Sequence, residues 1–512
     1  MIAVFLLSVL GGLTFIEQEI PGFSPNTTNF HWADIDGDGA TDLILRDKVF
    51  FQRNGLYDVD HPAPLPAHDE VFEYDVWHGD LYLRLEGRLE VVRWEAHRWR
   101  RQMACAVTWP RTATAHSWRE YLQQAHPGAL ESDDALEQEA SSACAGHFLH
   151  DFDADGTPEI VQPSESGLHI FQRNEETYAE VACLDIFPVP DVDYIDAQAL
   201  WPPEKRHIAF PIRYAECDFA LEGNSITVVA RETPSDDVVP YYTTRYTLDT
   251  KNEFAVIVDK TEITVSEPLP AYFRPCRLNK DAQIDFIGFD WERSKSSVVG
   301  PPVMKTCATV DGGKTIQTRV TRSFGSSGFR QSWGGLRDFV DFDGDGDLDM
   351  VTQPTGLFDG GLREMVARAL TQRKVKHDVH VYLQDARGRF SDEPDVQARF
   401  TLHFEEPLIR WDDTASDYAH GWRVNMMGDF NGDGYRDIVV QERANVLAVY
   451  LCKGQKYSRK PDAVIELGAC KRAQFGVNDC NGDGLSDILV DLQETEQDML
   501  RYVTFCARED GK

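Results

Sequence analysis

Five short acidic stretches, each running into an apolar segment, set the pattern of the chain. The clearest is Asp429-Phe-Asn-Gly-Asp-Gly-Tyr-Arg-Asp437, followed by the apolar residues 438–440. Comparable runs follow the copies that end at Asp42 and Asp487. Short runs rich in Ile, Leu and Val are typical of buried strands. Copies spread over most of the chain predict an all-β repeat fold.

Each copy places acidic or amide side chains at loop positions 1, 3, 5 and 9, with glycine at position 6 and usually at position 4. Alternate side chains of a coiled loop point inward together, so they can converge on one hard cation. All of these side chains offer oxygen, which favours calcium over the more strictly octahedral magnesium. Carboxylates this close would repel one another without a cation. For any single copy, an empty acidic turn is the alternative.

An EF-hand loop begins in the same way and must be weighed against this interpretation. It requires a Glu at position 12 and a helix on each side. Position 12 is Leu45, Thr352, Val440 or Val490 in the clearest copies, within strand-type sequence. The loops are therefore predicted to join strands.

Hairpins give the number of repeats. Eight candidates carry their markers at positions 42, 80, 159, 206, 285, 349, 437 and 487, and five of them follow an intact loop. The hairpin at Asp80 has no acidic loop before it and is interpreted as a repeat that has lost its metal. The hairpin formed by 206–212 and 225–230 is the least distinct.

One further copy, at 277–285, is degenerate. Asn279, Asp281 and Asp285 keep ligand positions, but Arg277 replaces the first acid. The arginine would stand in electrostatically for the ion, so no calcium is expected there.

The phrase Asp-x-(Asp/Asn)-Gly-Asp-Gly-x-x-Asp with its apolar tail resembles the FG-GAP or VCBS repeat of integrin α-chain-like β-propellers. Phe475-Gly476, three residues ahead of Asp479, matches the dipeptide that names the family. The resemblance implies a single β-propeller of four-stranded antiparallel blades, with a calcium loop between the first two strands of a blade. The family favours seven blades and the hairpin count favours eight.

The resemblance also implies the ligands, which are the side chains at positions 1, 3, 5 and 9 and the carbonyl of position 7. About five calcium sites are expected. The side-chain ligands would be Asp34, Asp36, Asp38, Asp42, Asp151, Asp153, Asp155, Glu159, Asp341, Asp343, Asp345, Asp349, Asp429, Asn431, Asp433, Asp437, Asp479, Asn481, Asp483 and Asp487.

The segment 13–20 resembles 400–406 and 463–467, which precede the copies at Asp429 and Asp479. All three are predicted to be outer strands. The N-terminal strand would then complete the last blade beside the C-terminal strand, and closure of this kind removes exposed strand edges.

The predicted propeller spans 13–512 and is interrupted by two helical insertions, at about 112–145 and about 358–376. The second contains the locally basic segment 361–374. With the aromatic-containing segment 323–333 it is the best candidate for a recognition surface, since loops on a rigid scaffold usually carry specificity. Insertions without any partner are the alternative.

The N-terminal residues 1–12 are apolar and too short to span a bilayer. They would be a short secretory signal, although no Lys or Arg precedes the apolar run, or else a buried first strand. Ten cysteines would permit disulfides in an oxidising compartment, but their pairing cannot be deduced. Cys480, at a position where other copies have Phe or Ile, is interpreted as an apolar filler.

The 85 acidic and 51 basic residues give a net charge of −34, which five calcium ions would offset only in part. Binding to nucleic acid or to an anionic membrane requires clustered Lys and Arg, so neither is expected.

The sequence contains no nucleophile elbow, HExxH motif, phosphate-binding glycine loop or CxxC pair. Isolated histidines such as His78, His147 and His380 are interpreted as packed or solvated, and no catalytic residue is assigned. We therefore expect a secreted, periplasmic or cell-surface monomer in which calcium is structural and the loops bind a protein or glycan. An enzyme acting on polysaccharide, of lyase or hydrolase type, is the alternative.

Overall fold

The structure is a computed structural model. It describes residues 6–7, 13–20, 30–45, 48–66, 71–85, 87–109, 144–145, 148–164, 167–174, 177–184, 188–190, 212–214, 217–231, 241–265, 272–276, 278–279, 285–291, 302–310, 315–323, 339–353, 371, 373–404, 423–468, 470, 472–493 and 501–509.

The described elements are strands, and they form eight blade sheets, numbered here in chain order. Two strands, β1 (Leu6–Leu7) and β2 (Leu13–Ile20), precede blade 1. Blade 1 comprises β3 (Phe30–Ala33), β4 (Asp42–Leu45), β5 (Lys48–Phe50), a ribbon of β6 (Gln52–Arg53) and β7 (Leu56–Tyr57), and β8 (Ala63–Pro64). Blade 2 comprises β9 (Val71–Trp77), β10 (Asp80–Leu85), β11 (Arg88–Glu95), β12 (Arg98–Ala106) and the short β13 (Cys144–Ala145). Blade 3 comprises β14 (Leu149–His150), β15 (Glu159–Ser164), β16 (Gly167–Asn174) and β17 (Thr177–Leu184). Blade 4 comprises β18 (Pro188–Pro190), β19 (Ile212–Tyr214), β20 (Cys217–Glu222), β21 (Ser225–Arg231), β22 (Tyr241–Asp249) and β23 (Ala255–Val265).

The second half of the chain supplies the other four blades. Blade 5 comprises β24 (Tyr272–Cys276), β25 (Asp285–Trp291), β26 (Pro302–Val310) and β27 (Thr315–Ser323). Blade 6 comprises β28 (Phe339–Val340), β29 (Asp349–Thr352), β30 (Lys374–Tyr382) and β31 (Val396–His403). Blade 7 comprises β32 (Val424–Gly428), β33 (Asp437–Arg443), β34 (Val446–Tyr450) and β35 (Ala463–Glu466). Blade 8 comprises β36 (Arg472–Asn478), β37 (Asp487–Gln493), β38 (Arg501–Glu509) and the N-terminal β2, with β1 beyond it.

The fold class is all-β, and the sheet composition is that of an eight-bladed β-propeller. Neighbouring strands within a blade are antiparallel, except for β13 beside β9. A two-residue parallel pairing, Thr264 with Thr315 and Val265 with Ile316, joins β23 to β27. The count of eight hairpins from the sequence is confirmed.

The chain divides into two compact units. The first contains Met1–Ser24, Ile263–Cys480 and Gly484–Lys512, and therefore blades 5 to 8. The second contains Pro25–Glu262 and Asn481–Asp483, and therefore blades 1 to 4 apart from the end of β23.

Within each unit, apolar side chains pack between consecutive blades. In the first unit, Val381 of blade 6 and Ile438 of blade 7 belong to one cluster, and Val449 of blade 7 and Val490 of blade 8 to another. In the second unit, Ile44 of blade 1 packs in a cluster with residues of blade 2. Every residue of β4 and of β29, the second strands of blades 1 and 6, is buried, so both faces of these strands are covered, which explains their continuous apolar sequence.

The outer strands behave as predicted. In β35 buried and exposed residues alternate, as they do when only one face is covered. The strands β31 and β35 lie at the edges of their sheets. In blade 8, β2 pairs antiparallel with β38 over eight residues, from Leu13 opposite Glu509 to Ile20 opposite Tyr502. The N- and C-terminal strands therefore complete one sheet.

Several predictions fall partly outside the described residues. Within the two expected helical insertions, Cys144–Ala145 is a strand and β30 begins at Lys374, so the ends of both ranges are β rather than helix. Residues 112–143 and 358–370 lie outside the described residues, as do 324–333. In blade 4, β21 matches the predicted strand at 225–230, but its hairpin partner is β20, not the segment 206–212. Of that segment only Ile212 is described, in β19.

In the described parts of the chain, no helix is long and apolar enough to cross a membrane. Seven cysteines have described side chains, and five of them are buried. Cys480 is fully buried, which confirms its interpretation as an apolar filler.

Candidate metal centres

Five acidic loops join the first two strands of blades 1, 3, 6, 7 and 8, as the resemblance implied. They are named here by their first residue, which gives loop 34 (34–42), loop 151 (151–159), loop 341 (341–349), loop 429 (429–437) and loop 479 (479–487). Blade 5 keeps a degenerate loop at 277–285, of which 278, 279 and 285 are described. In blade 2 a tight turn replaces the loop, with His78 and Gly79 both at positive φ between β9 and β10.

The loop backbone coils around the carboxylate at position 1. In loop 34, the Gly37 and Gly39 N–H groups donate to Asp34 at 2.8 and 3.0 Å. In loop 429, Gly432 and Gly434 donate in the same way to Asp429, at 2.7 and 2.9 Å. The residues at positions 4 and 6 have positive φ in all five loops. Glycine adopts this conformation without steric cost, which explains its recurrence.

Loop 151 departs from this rule at one position. Ala154 takes position 4 with a φ of 58°, while Gly156 at position 6 has a φ of 87°. The left-handed conformation costs a residue with a Cβ roughly 1–2 kcal/mol. The loop therefore holds its shape against a local strain.

The carboxylate at position 9 is buried and ties the loop to the rest of its blade. Asp437 Oδ2 accepts the Phe430 N–H at 2.8 Å, and its Oδ1 accepts the Cys452 N–H of the following hairpin at 2.6 Å. Asp42 and Asp349 accept the same pair of bonds, and so does Asp487. This side chain therefore links position 2 of the loop to the backbone beyond the next hairpin turn.

Burial raises the pKa of these position 9 carboxyl groups, with smaller contributions from the neighbouring acids. The pKa is raised to about 7 for Asp42, Asp349 and Asp437, and to about 8 for Glu159. Hydrogen bonds from backbone N–H groups oppose the shift but do not cancel it. Burial and, to a smaller extent, the neighbouring acids thus disfavour the ionised carboxylates, which a bound cation would favour.

Three loops bring their acids together. One carboxylate oxygen from each of positions 1, 3 and 9 lies within 4.8 Å of the others, and the groups are Asp34, Asp36 and Asp42; Asp151, Asp153 and Glu159; and Asp341, Asp343 and Asp349. Within these three loops the sequence assignment of positions 1, 3 and 9 to one cluster matches the structure.

The acid at position 5 stands apart from these clusters. Asp38, Asp155 and Asp345 are exposed, and each accepts the N–H of position 7, at 2.9, 2.6 and 2.8 Å. Their carboxylates shape the loop turn in the structure and are not grouped with positions 1, 3 and 9.

Loops 429 and 479 have Asn at position 3 and the same hydrogen bonds around it. Asn431 Oδ1 accepts the Asp433 N–H at 3.1 Å, and Asn481 Oδ1 accepts the Asp483 N–H at 2.9 Å. Asp433 at position 5 also accepts the Tyr435 N–H at 2.9 Å. In loop 479 the position 1 acid, Asp479, accepts the Gly484 N–H at 3.0 Å.

Two buried oxygens test whether a cation fits. Asp36 Oδ1 at position 3 and Asp341 Oδ1 at position 1 have no hydrogen-bond partner among the described residues. A buried acceptor without a partner is costly, and a cation coordinated by the cluster would satisfy it. The donors are all hard oxygens, which suits calcium. The residues of the clusters therefore fit the ion that the sequence predicted.

A positively charged side chain also contacts loop 34, and sequence reasoning missed it. Arg53 of β6 forms ion pairs with Asp36 and Asp38, the acids at positions 3 and 5. Burial lowers the pKa of the guanidinium, but the hydrogen bond to Asp36 and the charges of these acids outweigh it, so the pKa is raised overall. Arg53 follows the hairpin rather than the loop, so only the register of the strands brings it to the site.

The degenerate loop keeps the structural part of the motif. Asp285 is fully buried and accepts N–H groups from Leu278 at 3.2 Å and Thr309 at 2.8 Å, as the other position 9 acids do. Asn279 is half-buried, and Arg277 and Asp281 lie outside the described residues. In blade 2, Asp80 is paired with Arg93, at 2.5 and 2.7 Å.

Neighbouring loops of the first unit are bonded to one another. The N–H of position 8 donates to a carbonyl of the preceding loop, from Leu348 to Leu278 at 3.0 Å, from Arg436 to Phe342 at 2.9 Å and from Ser486 to Asp429 at 2.8 Å. The loops of blades 5 to 8 thus form a continuous hydrogen-bonded series.

No family model matches this chain, and no curated protein matches it. What the structure shows is therefore a β-propeller with acidic clusters in its loops.

Proposed function

We propose that the chain is a calcium-stabilised β-propeller of the FG-GAP or VCBS type that serves as a binding or adhesion module. The observation that carries the calcium part is the set of three matched acidic clusters, two of which contain a buried oxygen without a described partner. A bound ion would supply positive charge where burial and mutual repulsion disfavour ionised carboxylates.

The chain's own residues would hold the ion at positions 1, 3 and 9. Position 9 fixes the loop to its blade, and the glycines at positions 4 and 6 keep the position 1 acid in place through their N–H groups. The fixed loop leaves little for the ion to reorganise, so calcium would act as a structural brace rather than a reagent.

Calcium binding is tested by counting ions and measuring stability together. Chelator treatment is expected to lower the Tm, since an ion bound only to the folded state must stabilise it. Calorimetric titration of the chelated protein should give about five sites per chain. An unchanged Tm and no measurable calcium binding would contradict the proposal.

A pair of variants in one loop provides the matched control. Asp341→Asn alters a cluster ligand, whereas Asp347→Asn makes the same change at position 7, whose side chain is not in the cluster. The first should bind one calcium ion fewer, and the second should bind as many as the parent. Equal stoichiometry in the two variants would remove loop 341 from the set of metal sites.

The binding role is supported by the absence of a recognised catalytic motif in the sequence and by the use of the loop acids in three metal-type clusters. We place the protein outside the cytosol, in a secreted, periplasmic or cell-surface setting, where millimolar calcium suits sites of this kind. Its partner would be a protein or a glycan.

A glycan array and a polysaccharide cleavage assay, both run in calcium, address this role. Retention of a glycan without cleavage would support a binding module. Turnover of a polysaccharide would overturn that role in favour of an enzyme of lyase or hydrolase type, while leaving the calcium sites untouched.

A further inference from the structure

Blade 3 carries a cluster of three side chains, none of which belongs to loop 151. His169 on β16 lies opposite Cys183 on β17, with its Nε2 3.8 Å from the Cys183 Sγ. The Nδ1 of the same ring lies 3.2 Å from Oε2 of Glu180, also on β17. One ligand atom from each of the three residues lies within 4.8 Å of the others. An imidazole, a thiol and a carboxylate are therefore within reach of a single metal ion.

A β-bulge brings the two ligands of β17 to one face. Glu180 and Cys183 are three residues apart and would point to opposite faces of a regular strand. The register between β16 and β17 shifts at Val181, which has no partner on β16, so that Glu180 pairs with Phe171 and Cys183 with His169. Both side chains consequently lie on the face that carries His169, and bulges commonly re-aim side chains in this way.

The distances between the ligand atoms are close to those of a zinc site. With bonds of about 2.0–2.3 Å to a tetrahedral ion, two ligand atoms lie roughly 3.3–3.6 Å apart. The distances of 3.2 and 3.8 Å involve different nitrogens of the ring, only one of which would bind the ion. The Glu180 side chain is 46% exposed, so a rotation of this long side chain can bring its carboxylate to the nitrogen that faces Cys183.

The cluster has one buried ligand and two at the surface. His169 is buried, and its ring stacks beside Phe171 with centroids 6.4 Å apart. Cys183 and Glu180 are exposed. An ion can therefore enter from solvent, and a water molecule would take the fourth position, as it does in zinc sites with three protein ligands.

The ligand types select a different class of ion from the acidic loops. Thiolate and imidazole are ligands of zinc and similar transition metals, whereas calcium takes oxygen ligands. A thiolate and a carboxylate together carry the negative charge that a divalent ion neutralises. Other contacts of these side chains are compatible with coordination, because the ion takes one ring nitrogen and one carboxylate oxygen and leaves the second of each for neighbouring groups.

We propose that His169, Glu180 and Cys183 bind a zinc-type divalent cation, with water as the fourth ligand. Cysteine binds a metal as the thiolate, so the Cys183 proton passes to solvent as the metal–sulfur bond forms. The ligands come from β16 and from both sides of the bulge in β17, so the bound ion would fix the bulge and tie the two strands together. The site shares no residue with the calcium-type clusters.

The test is a titration of the full chain with Co²⁺ in saturating calcium, followed by absorption spectroscopy. Cobalt occupies zinc sites, and a cobalt–thiolate bond gives a charge-transfer band in the near ultraviolet that oxygen ligands do not give. Calcium is added first so that the acidic loops do not take up the cobalt. The parent chain should bind about one Co²⁺ with the thiolate band. An excess of Zn²⁺ should abolish that band.

Two serine variants form a matched pair. Cys183→Ser should remove the thiolate band, whereas Cys470→Ser, which alters a half-buried cysteine outside the site, should keep it. Glu180→Gln should keep the band but weaken cobalt binding by at least about 10-fold, which is the smallest loss expected even for an outer-shell partner. His169→Gln should weaken binding at least as much. The Tm of each variant without metal, compared with that of the parent, verifies the fold.

Absence of the thiolate band in the parent chain would overturn the proposal, and so would a band that persists in Cys183→Ser. Equal cobalt affinity of the parent and Glu180→Gln would also overturn it and would leave His169 and Glu180 as an ion pair beside a thiol. A chain that binds calcium without giving the cobalt–thiolate band would lose this site alone. Failure of the calcium sites, conversely, would not remove the band.

Discussion

At the scale of single residues, the acids of one loop have different structural roles. Asp437 is buried with both of its oxygens bonded to backbone N–H groups, whereas Asp36 and Asp341 each keep a buried oxygen without a described partner. The hydrogen bonds of Asp437 hold the loop backbone in place, whereas the unpaired oxygens of Asp36 and Asp341 favour the binding of a cation. A motif of like residues therefore combines a structural anchor with a binding site.

Ala154→Gly is expected to stabilise the protein. It relieves a left-handed penalty of roughly 1–2 kcal/mol, less roughly 0.4–1 kcal/mol for the more flexible unfolded chain. The net gain should raise the Tm by about 1–3 °C. Gly37→Ala is the matched reverse change, since the Cβ would meet no atom within 4 Å and only the φ of 76° opposes it. A lower Tm for Ala154→Gly would show that the alanine is not strained.

Stability of the calcium-free protein is expected to fall as pH rises from about 4 to about 8. The position 9 carboxyls have folded pKa values raised from 3.8 to about 7 in Asp42, Asp349 and Asp437, and from 4.5 to about 8 in Glu159. Between these pKa values the folded state binds more protons than the unfolded state. The contribution of these groups to the free energy of unfolding is therefore fully present below the unfolded pKa and is lost as the pH rises through the folded pKa.

Saturating calcium should remove this fall, since it binds the ionised carboxylates. Melting curves at pH 5 and pH 8, in chelator and in calcium, measure the effect. The same slope in both conditions would show that proton and metal do not compete for these groups.

At the scale of elements, a hairpin anchor and a metal loop are separable. Blade 5 keeps the anchor, Asp285, although its loop has lost the first acid. In blade 2, a two-residue turn at His78 and Gly79 connects the first strands directly. A blade thus requires a fixed hairpin but not an ion.

Asp285→Asn and Asp343→Asn compare these roles with the same chemical change. The amide nitrogen at 285 would face a backbone N–H group, which cannot accept its hydrogen bond. This should lower the free energy of unfolding by roughly 1–3 kcal/mol with or without calcium. At 343 the amide oxygen can still accept the Asp345 N–H, and Asn occupies the same position in loops 429 and 479, so any loss should be smaller and confined to melts in calcium. Thermal melts of both variants in chelator and in calcium distinguish the two, and equal behaviour would refute the separation.

How far the sequence predicts an element depends on the distance over which its determinants act. The loops and the inner strands follow from residues within about a dozen positions, so the topology of the five loop-bearing blades was correctly predicted. Arg53 at loop 34 and the bulge at Val181 depend on strand register, which no local pattern specifies. The displaced position 5 acids likewise follow from how the loop turns, not from which residues it contains.

At the scale of the whole molecule, the N-terminal strand is an integral part of the fold. Eight residue pairs join β2 to β38, and Phe15 and Ile20 of β2 are buried. Removing residues 1–20 would leave β38 as an open edge with unpaired backbone groups. We expect the shortened chain to lose its cooperative melt and to form oligomers, as measured by light scattering during gel filtration.

Removal of residues 510–512, beyond β38, is the control and should leave the protein monomeric. A monomeric, cooperatively melting chain without residues 1–20 would show that the terminal pairing contributes little. The sequence predicted this pairing from the likeness of 13–20 to 463–467, and it predicted the number of hairpins but not the partner strand of the one in blade 4. It left seven and eight blades open, because the family resemblance favours seven and the hairpin count favours eight.

Arg53 makes the electrostatic environment of loop 34 different from that of the other four loops. Its guanidinium already neutralises part of the charge of Asp36 and Asp38, so an ion entering loop 34 competes with a tethered positive group that cannot diffuse away. Loop 34 would accordingly fill last in a titration, while Arg53→Gln would make it fill with the rest. Calcium occupancy of loop 34 would therefore show that the calcium concentration is above the level at which the other loops fill.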